Sequence, residues 1–150
     1  MTRDWSKLRR LAGFGKAVAS DSFVKAITQS QPILFAEGET IAIRGSGRSY
    51  GDAALNAESA VAINQRNNIL SWDPELGIVR AESGVTIDQL CKAYLQEGWW
   101  PPVVSGTAHV TLGGALAMNI HGKNSFRAGN IGEYVVALEI ESPAGSYRVL

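Results

Sequence analysis

The chain's 150 residues are 45% hydrophobic and 19% charged, the balance of a globular domain long enough to bury roughly two-thirds of its unfolded surface. Fourteen basic residues offset fourteen acidic ones, so no net field favours nucleic acid or an anionic membrane. The single cysteine, Cys91, excludes an internal disulfide and fits a reducing, cytoplasmic setting.

Residues 1–40 read as a lead-in carrying a first helix and strand. Lys16 interrupts the apolar run after Arg9 and Arg10, which leaves too short a core for a signal peptide. No later stretch reaches bilayer-spanning length. Ser20 or Asp21 can cap a helix running to about Ser30, with Phe23, Ala26 and Ile27 on one face and Pro32 ending it. Ile33–Ala36 and Ile41–Ile43 are short apolar strands around a Glu37-Gly38-Glu39 turn.

The second of these strands runs into Arg44-Gly45-Ser46-Gly47-Arg48-Ser49-Tyr50-Gly51-Asp52. Glycines and serines there offer N–H and O–H donors between two guanidinium groups, a set suited to a diphosphate. A plain turn with solvated arginines has the same composition. A dinucleotide fingerprint is excluded, because Tyr50 replaces its third glycine and Asp52–Asn56 is a poor helix start.

Val61–Ile63 is a short strand, and Ile69–Trp72 with Gly77–Ala81 forms a hairpin about Asp73-Pro74-Glu75. Thr86 and Gln89 make a capping box for a helix to Glu97, stopped by Gly98. Ile87, Leu90, Cys91, Tyr94 and Leu95 share its inner face, so Cys91 reads as core rather than nucleophile. Trp99-Trp100-Pro101-Pro102 is a stiff aromatic connection that packs on the core or lines a ring site. Tyr134–Glu141 and Tyr147–Leu150 read as strands around Ser142-Pro143-Ala144-Gly145, a ribbon that needs further strands to pair with.

Between them lies Ser105–Asn124, SGTAHVTLGGALAMNIHGKN. Thr111 can cap a short helix entered through Gly113 and Gly114, whose outward N–H groups would receive an anion. His121, Lys123 and Asn124 follow at once, a titratable ring and two donors. The stretch reads either as an anion cradle with polar chemistry beside it or as a buried small-residue crossing ended by a solvated loop.

RGSGRSYGDAALN (44–56), SGVTIDQL (83–90) and SGTAHVTLGGALAMNIHGKN (105–124), followed by Gly129, resemble the vanillyl-alcohol-oxidase-like, FAD-linked oxidase or PCMH-type flavoproteins. The likeness runs from about Ile41 to the end and points within that family to the decaprenylphosphoryl-ribose 2-oxidase branch. It implies an α+β fold: a PCMH-type FAD-binding domain over residues 41–150, comprising the first α+β subdomain and the start of the second. The rest of the domain and the substrate domain would follow it, so the chain is expected to be a piece of a longer oxidoreductase.

The resemblance also assigns roles. Arg44, Gly45, Ser46, Gly47, Arg48, Ser49, Tyr50 and Gly51, together with Gly106, Thr107, Thr111, Gly113, Gly114 and Ala117, would hold FAD, its diphosphate chiefly through backbone N–H groups. Asn119, His121, Gly122 and Asn124 would lie by the isoalloxazine, with Tyr50 near the ring and His121 and Lys123 facing its reacting end. Arg48 stands where many relatives carry a flavin-linked histidine, so non-covalent FAD is expected, and no metal. The implied reaction oxidises an alcohol carbon of a sugar or polyol, free or lipid-linked, with hydride passing to flavin N5. Two alternatives are carried: a complete non-catalytic nucleotide-binding or strand-pairing module, and a nicotinamide-dependent flavin reductase of the same fold.

Overall fold

The computed structural model describes residues 8–28, 38–142 and 145–149, the side chain of Tyr147 excepted. Its larger sheet holds β1 (Leu8–Ala12), β2 (Ala19–Ala26), β3 (Ala42–Arg44) and β4 (Ser59–Ala62) in the order β1-β2-β4-β3. β1 and β2 form an antiparallel hairpin, while β4 runs parallel to both β2 and β3. Parallel neighbours cannot be joined by a tight turn, so the β3–β4 link must be a crossover. That crossover, 45–58, is the glycine-rich loop, and it leaves from the C-terminal end of β3.

Over its described part, 20–28, the predicted helix is instead β2 as far as Ala26 and then irregular chain. Its burial alternates: Ser20 and Ser22 turn inward while Asp21 and Phe23 face out, Phe23 being 46% exposed. The inward serines bury because both hydroxyls donate to the Asn56 carbonyl. Apolar spacing could not show this, since the buried positions are polar and the exposed one is aromatic. β1, predicted as lead-in, is an exposed edge strand. The predicted strand 33–36 lies outside the described residues.

β5 (Ile69–Asp73) and β6 (Ile78–Ala81) make the predicted hairpin. Asp73 Oδ1 accepts from the N–H groups of Glu75 and Leu76 to set its turn. The helix α1 (Ile87–Tyr94) has the predicted capping box in full: Thr86 Oγ1 accepts from Gln89 N–H, and Gln89 Oε1 from Thr86 N–H. A single 3₁₀ turn, Leu95–Glu97, ends at left-handed Gly98. Trp72 stacks on Tyr94 at 4.0 Å and donates to Glu97, and Trp99 meets Trp72 edge-on. The tandem-Trp connection therefore packs through Trp99, while Trp100 stays exposed. Burial, helped by Asp88, pushes the Cys91 thiol up, as its packing against the core requires.

The second half contains α2 (Leu112–Ala117), α3 (Ser125–Ala128), β7 (Leu138–Ser142) and β8 (Gly145–Val149). Tyr134, expected to open a strand, closes a 3₁₀ turn (Ile131–Tyr134) held by an Asn130–Glu133 capping box. β7 and β8 pair antiparallel, and Arg80–Glu139 and Arg66–Glu141 bridge β7 to earlier segments.

Two hydrophobic clusters result. One holds Ile27, Val61 and Ile63; the other holds Ile87, Val103, Ala115 and Ile131. They adjoin at Gly113, where a Cβ would lie 3.2 Å from Ile63 Cδ1 and 3.0 Å from Ser83 Cβ. Among the described residues, no helix is long and apolar enough to cross a membrane.

The capping box tests the α1 boundary. Thr86→Ala should cost about 1 kcal/mol, lowering the melting temperature by about 3 °C with little change in the folded circular dichroism spectrum. An unchanged melting temperature would remove the cap from the account.

Candidate functional site: two segments meeting at Gly45 and Thr111

The glycine-rich loop and the Thr111 segment touch. At Gly45 a Cβ would run into Thr111 Oγ1 and stand 3.3 Å from Thr111 Cβ and Cγ2, so this approach needs a residue without one. Thr111 is 1% exposed, caps α2 by accepting from Gly114 N–H at 3.2 Å, and forms an isolated bridge with Thr86. One threonine thus fixes the start of α2, the approach to α1 and the nearest reach of the loop.

The free donors lie elsewhere than the motif suggested. Leu112 N–H donates to Val85 O at 2.7 Å, Gly113 N–H to Ser83 O at 2.8 Å, and Gly114 N–H to its own cap. The first-turn amides of α2, expected to receive an anion, are therefore engaged inside the fold. Thr111, Gly113 and Gly114 close the joint between the two halves. In contrast, among the described residues no backbone N–H from Gly45 to Gly51, nor from Ser105 to Ala108, donates within the chain. An unbroken run of unspent amides in a glycine-rich turn is the composition of an anion nest. Gly106 adds open space, with nothing within 4 Å of its Cβ direction.

The two arginines differ. Arg44 donates from Nη2 to Ala12 O at 2.7 Å and from Nη1 to Ala54 O at 3.2 Å, with its guanidinium packed beneath Gly47. Burial pulls it below the ordinary guanidinium value, yet the group stays charged and acts as a brace rather than as a flanking cation. Arg48 is exposed, its Cζ 5.8 Å from the centre of the Phe14 ring. Tyr50 is 73% exposed and meets Phe14 edge-on at 5.2 Å. The side chains of Ser46 and Ser49 make no bond among the described residues.

At the other end, Gly122 is buried so closely on Val104 that a Cβ would stand 2.7 Å from Val104 O. Asn124 Nδ2 donates to Pro102 O at 3.2 Å, and His121 bridges Asn130. His121 and Lys123 flank the buried Gly122, and both are exposed. Asn119 is in the left-handed region at φ 42°, and its Oδ1 accepts from Gly132 N–H at 3.0 Å. Asn119 and Asn124 therefore pin backbone, and Ala117 is exposed at the end of α2. A cavity of about 560 Å³ lies beside Asp52, Leu55 and Asn56, with no residue of Gly45–Gly51 in its lining. Among the described residues no cluster of three or more His, Cys, Asp or Glu could hold a metal.

Sequence reasoning missed the carbonyls of Ser83 and Val85 that absorb the α2 amides, though SGVT carried the resemblance. It also missed Ala12, Gly13 and Phe14, which reach the loop from β1; the only local trace was Gly13-Phe14-Gly15.

The amide run and the Gly45 approach fit a diphosphate cofactor such as FAD. Gly45→Ala should push the loop off Thr111 and weaken FAD binding about tenfold, or about 1.4 kcal/mol, read by titration against flavin fluorescence. Unchanged affinity would separate the loop from the site.

Comparison with known proteins agrees with this geometry. Residues 33–150 match the FAD binding domain family. The chain is similar to decaprenylphosphoryl-beta-D-ribose oxidase of Mycolicibacterium smegmatis, 37% identical over 95% of this chain and 33% of that protein. D-lactate dehydrogenase of Anaerostipes hadrus is 27% identical over 67% of this chain and 21% of its own length. A solved alkyldihydroxyacetonephosphate synthase superposes with a TM-score of 0.63 at 23% identity, over 73% of this chain and 21% of that one, a likeness of fold alone. The chain thus spans about a third or less of these proteins. The chain belongs to the FAD binding domain family, has its PCMH-type α+β fold and takes FAD as its cofactor.

Proposed function

We propose that this chain is the FAD-binding portion of an oxidoreductase that oxidises an alcohol carbon of a sugar or polyol, free or lipid-linked, with FAD held non-covalently. The observation that carries the reading is the run of unspent amides from Gly45 to Gly51 set against Thr111. Those N–H groups, with the hydroxyls of Ser46 and Ser49 and the charge of Arg48, would bind the diphosphate. Gly106 and Thr107 would add donors from the second segment. FAD, when bound, supplies the hydride acceptor.

The chain's own chemistry is at His121 and Lys123. Gly122 O lies 3.3 Å from His121 Nδ1, and a carbonyl can only accept, so this contact favours the Nδ1–H tautomer. Nε2 then keeps its lone pair and can take the substrate hydroxyl proton. Lys123, two residues away beyond buried Gly122 and likewise exposed, would suit the developing alkoxide. Tyr50 would line the ring from the loop side. The absence of a histidine at Arg48 supports a flavin without a covalent link.

The alcohol-carbon reading draws on the named substrates of the relatives, a ribose derivative in one and D-lactate in another. The second of these supports a rival substrate class, a small hydroxy acid, whose carboxylate would meet Arg48 or Lys123.

Acid precipitation should release FAD into the supernatant, whereas a pellet that keeps its flavin absorbance would overturn the non-covalent reading. In the protein carrying this chain, His121→Ala should keep FAD while lowering kcat by roughly 10²- to 10⁴-fold. Bleaching of bound flavin by sugars, polyols and hydroxy acids, followed anaerobically, distinguishes the substrate classes; bleaching by none of them would remove the reading.

A further inference from the structure

Among the described residues the loop 45–51 donates no amide within the chain, so its bracing comes from groups outside it. Its braces come largely from three consecutive residues, Ala12 at the end of β1 and Gly13 and Phe14 just after it. Ala12 O accepts from Arg44 Nη2, holding the guanidinium beneath Gly47. Gly13 packs so tightly on Gly51 O that a Cβ there would clash. Phe14 N–H donates to Ser49 O at 2.8 Å, and its ring meets Tyr50 edge-on and lies beside Arg48. These contacts use the loop's carbonyls and side-chain faces and leave its N–H groups free. None of the three residues falls within 33–150, the part that matches the family.

We infer that the turn after β1, acting through Phe14, preorganises the glycine-rich loop for the diphosphate of FAD, which makes Phe14 a positioning residue outside the matched domain. This rests on the assignment of that loop to the cofactor. A loop ordered before binding does not have its backbone entropy charged against affinity. The Phe14 amide sets the middle of the loop at Ser49, while the ring sets the directions of Tyr50 and Arg48. A turn serving only to reverse the chain between β1 and β2 would need neither contact.

The test uses the full-length protein, with two readouts: FAD affinity by flavin fluorescence, and amide hydrogen exchange without ligand. Phe14→Leu keeps the backbone N–H and apolar bulk but loses the ring. It should weaken FAD binding about tenfold and selectively speed exchange of the residue-14 amide, whose bond to Ser49 O reports the seating of the loop. Phe14→Trp should restore both. Leu8→Ala, at the far end of the same strand and 62% exposed, should change neither. The inference falls if Phe14→Leu leaves the protection of the residue-14 amide unchanged, or if Leu8→Ala reproduces the effect through general loosening. Should the protein take up no FAD, the cofactor assignment of the loop fails, and the exchange readout still decides whether Phe14 orders it.

Discussion

At Gly45 and Thr111 two segments far apart in sequence come closer than any side chain on Gly45 would allow. Thr111 is buried, and its hydroxyl already serves α2, so it cannot withdraw without uncapping that helix. The loop cannot withdraw either, because Arg44 ties its root to Ala12 and Ala54. The joint therefore settles where the crossover 45–58 stands relative to the second core cluster. It also sets which face of the loop is left for a ligand.

The division of hydrogen bonds around this joint separates scaffold from site. On the α2 side, amides go to Ser83 O, Val85 O and Thr111 Oγ1, which is how a packed junction satisfies its backbone. On the loop side, bracing falls on carbonyls: Ser49 O takes the Phe14 amide and Gly51 O meets Gly13. Donors remain in one place and are consumed in the other. A helix N-terminus and a glycine loop both suit anions in general, and only this accounting says which of the two is available here.

The exposed pair His121 and Lys123 depends on a similar economy. Gly122 is buried on Val104, Asn124 is tied to Pro102, and Asn119 holds the 3₁₀ turn through Gly132. The polar residues around the pair thus serve the backbone, and among the described residues the imidazole and the ammonium make no side-chain bond apart from the weak Gly122 contact. Polar residues crowded into one motif need not share one task.

Local chemistry was legible from the chain alone. The capping box at Thr86 and Gln89, the Asp73 turn, the Thr111 cap and the glycine-rich loop all depend on residues within a few positions of one another. Near-neighbour sterics and hydrogen bonds decide them. The motif likeness to FAD-linked oxidases likewise lay in contiguous runs. What needed the tertiary structure were features set by distant partners. Ser20 and Ser22 bury in β2 because Asn56 O receives their hydroxyls, which turned an expected helix into a strand. The α2 amides are spent because Ser83 and Val85 lie across from them, and Phe14 reaches Ser49 because β1 joins the sheet. Each is a polar contact between segments tens of residues apart. No local pattern encodes such a contact, because its energy exists only once the sheet and the two core clusters have brought the partners together.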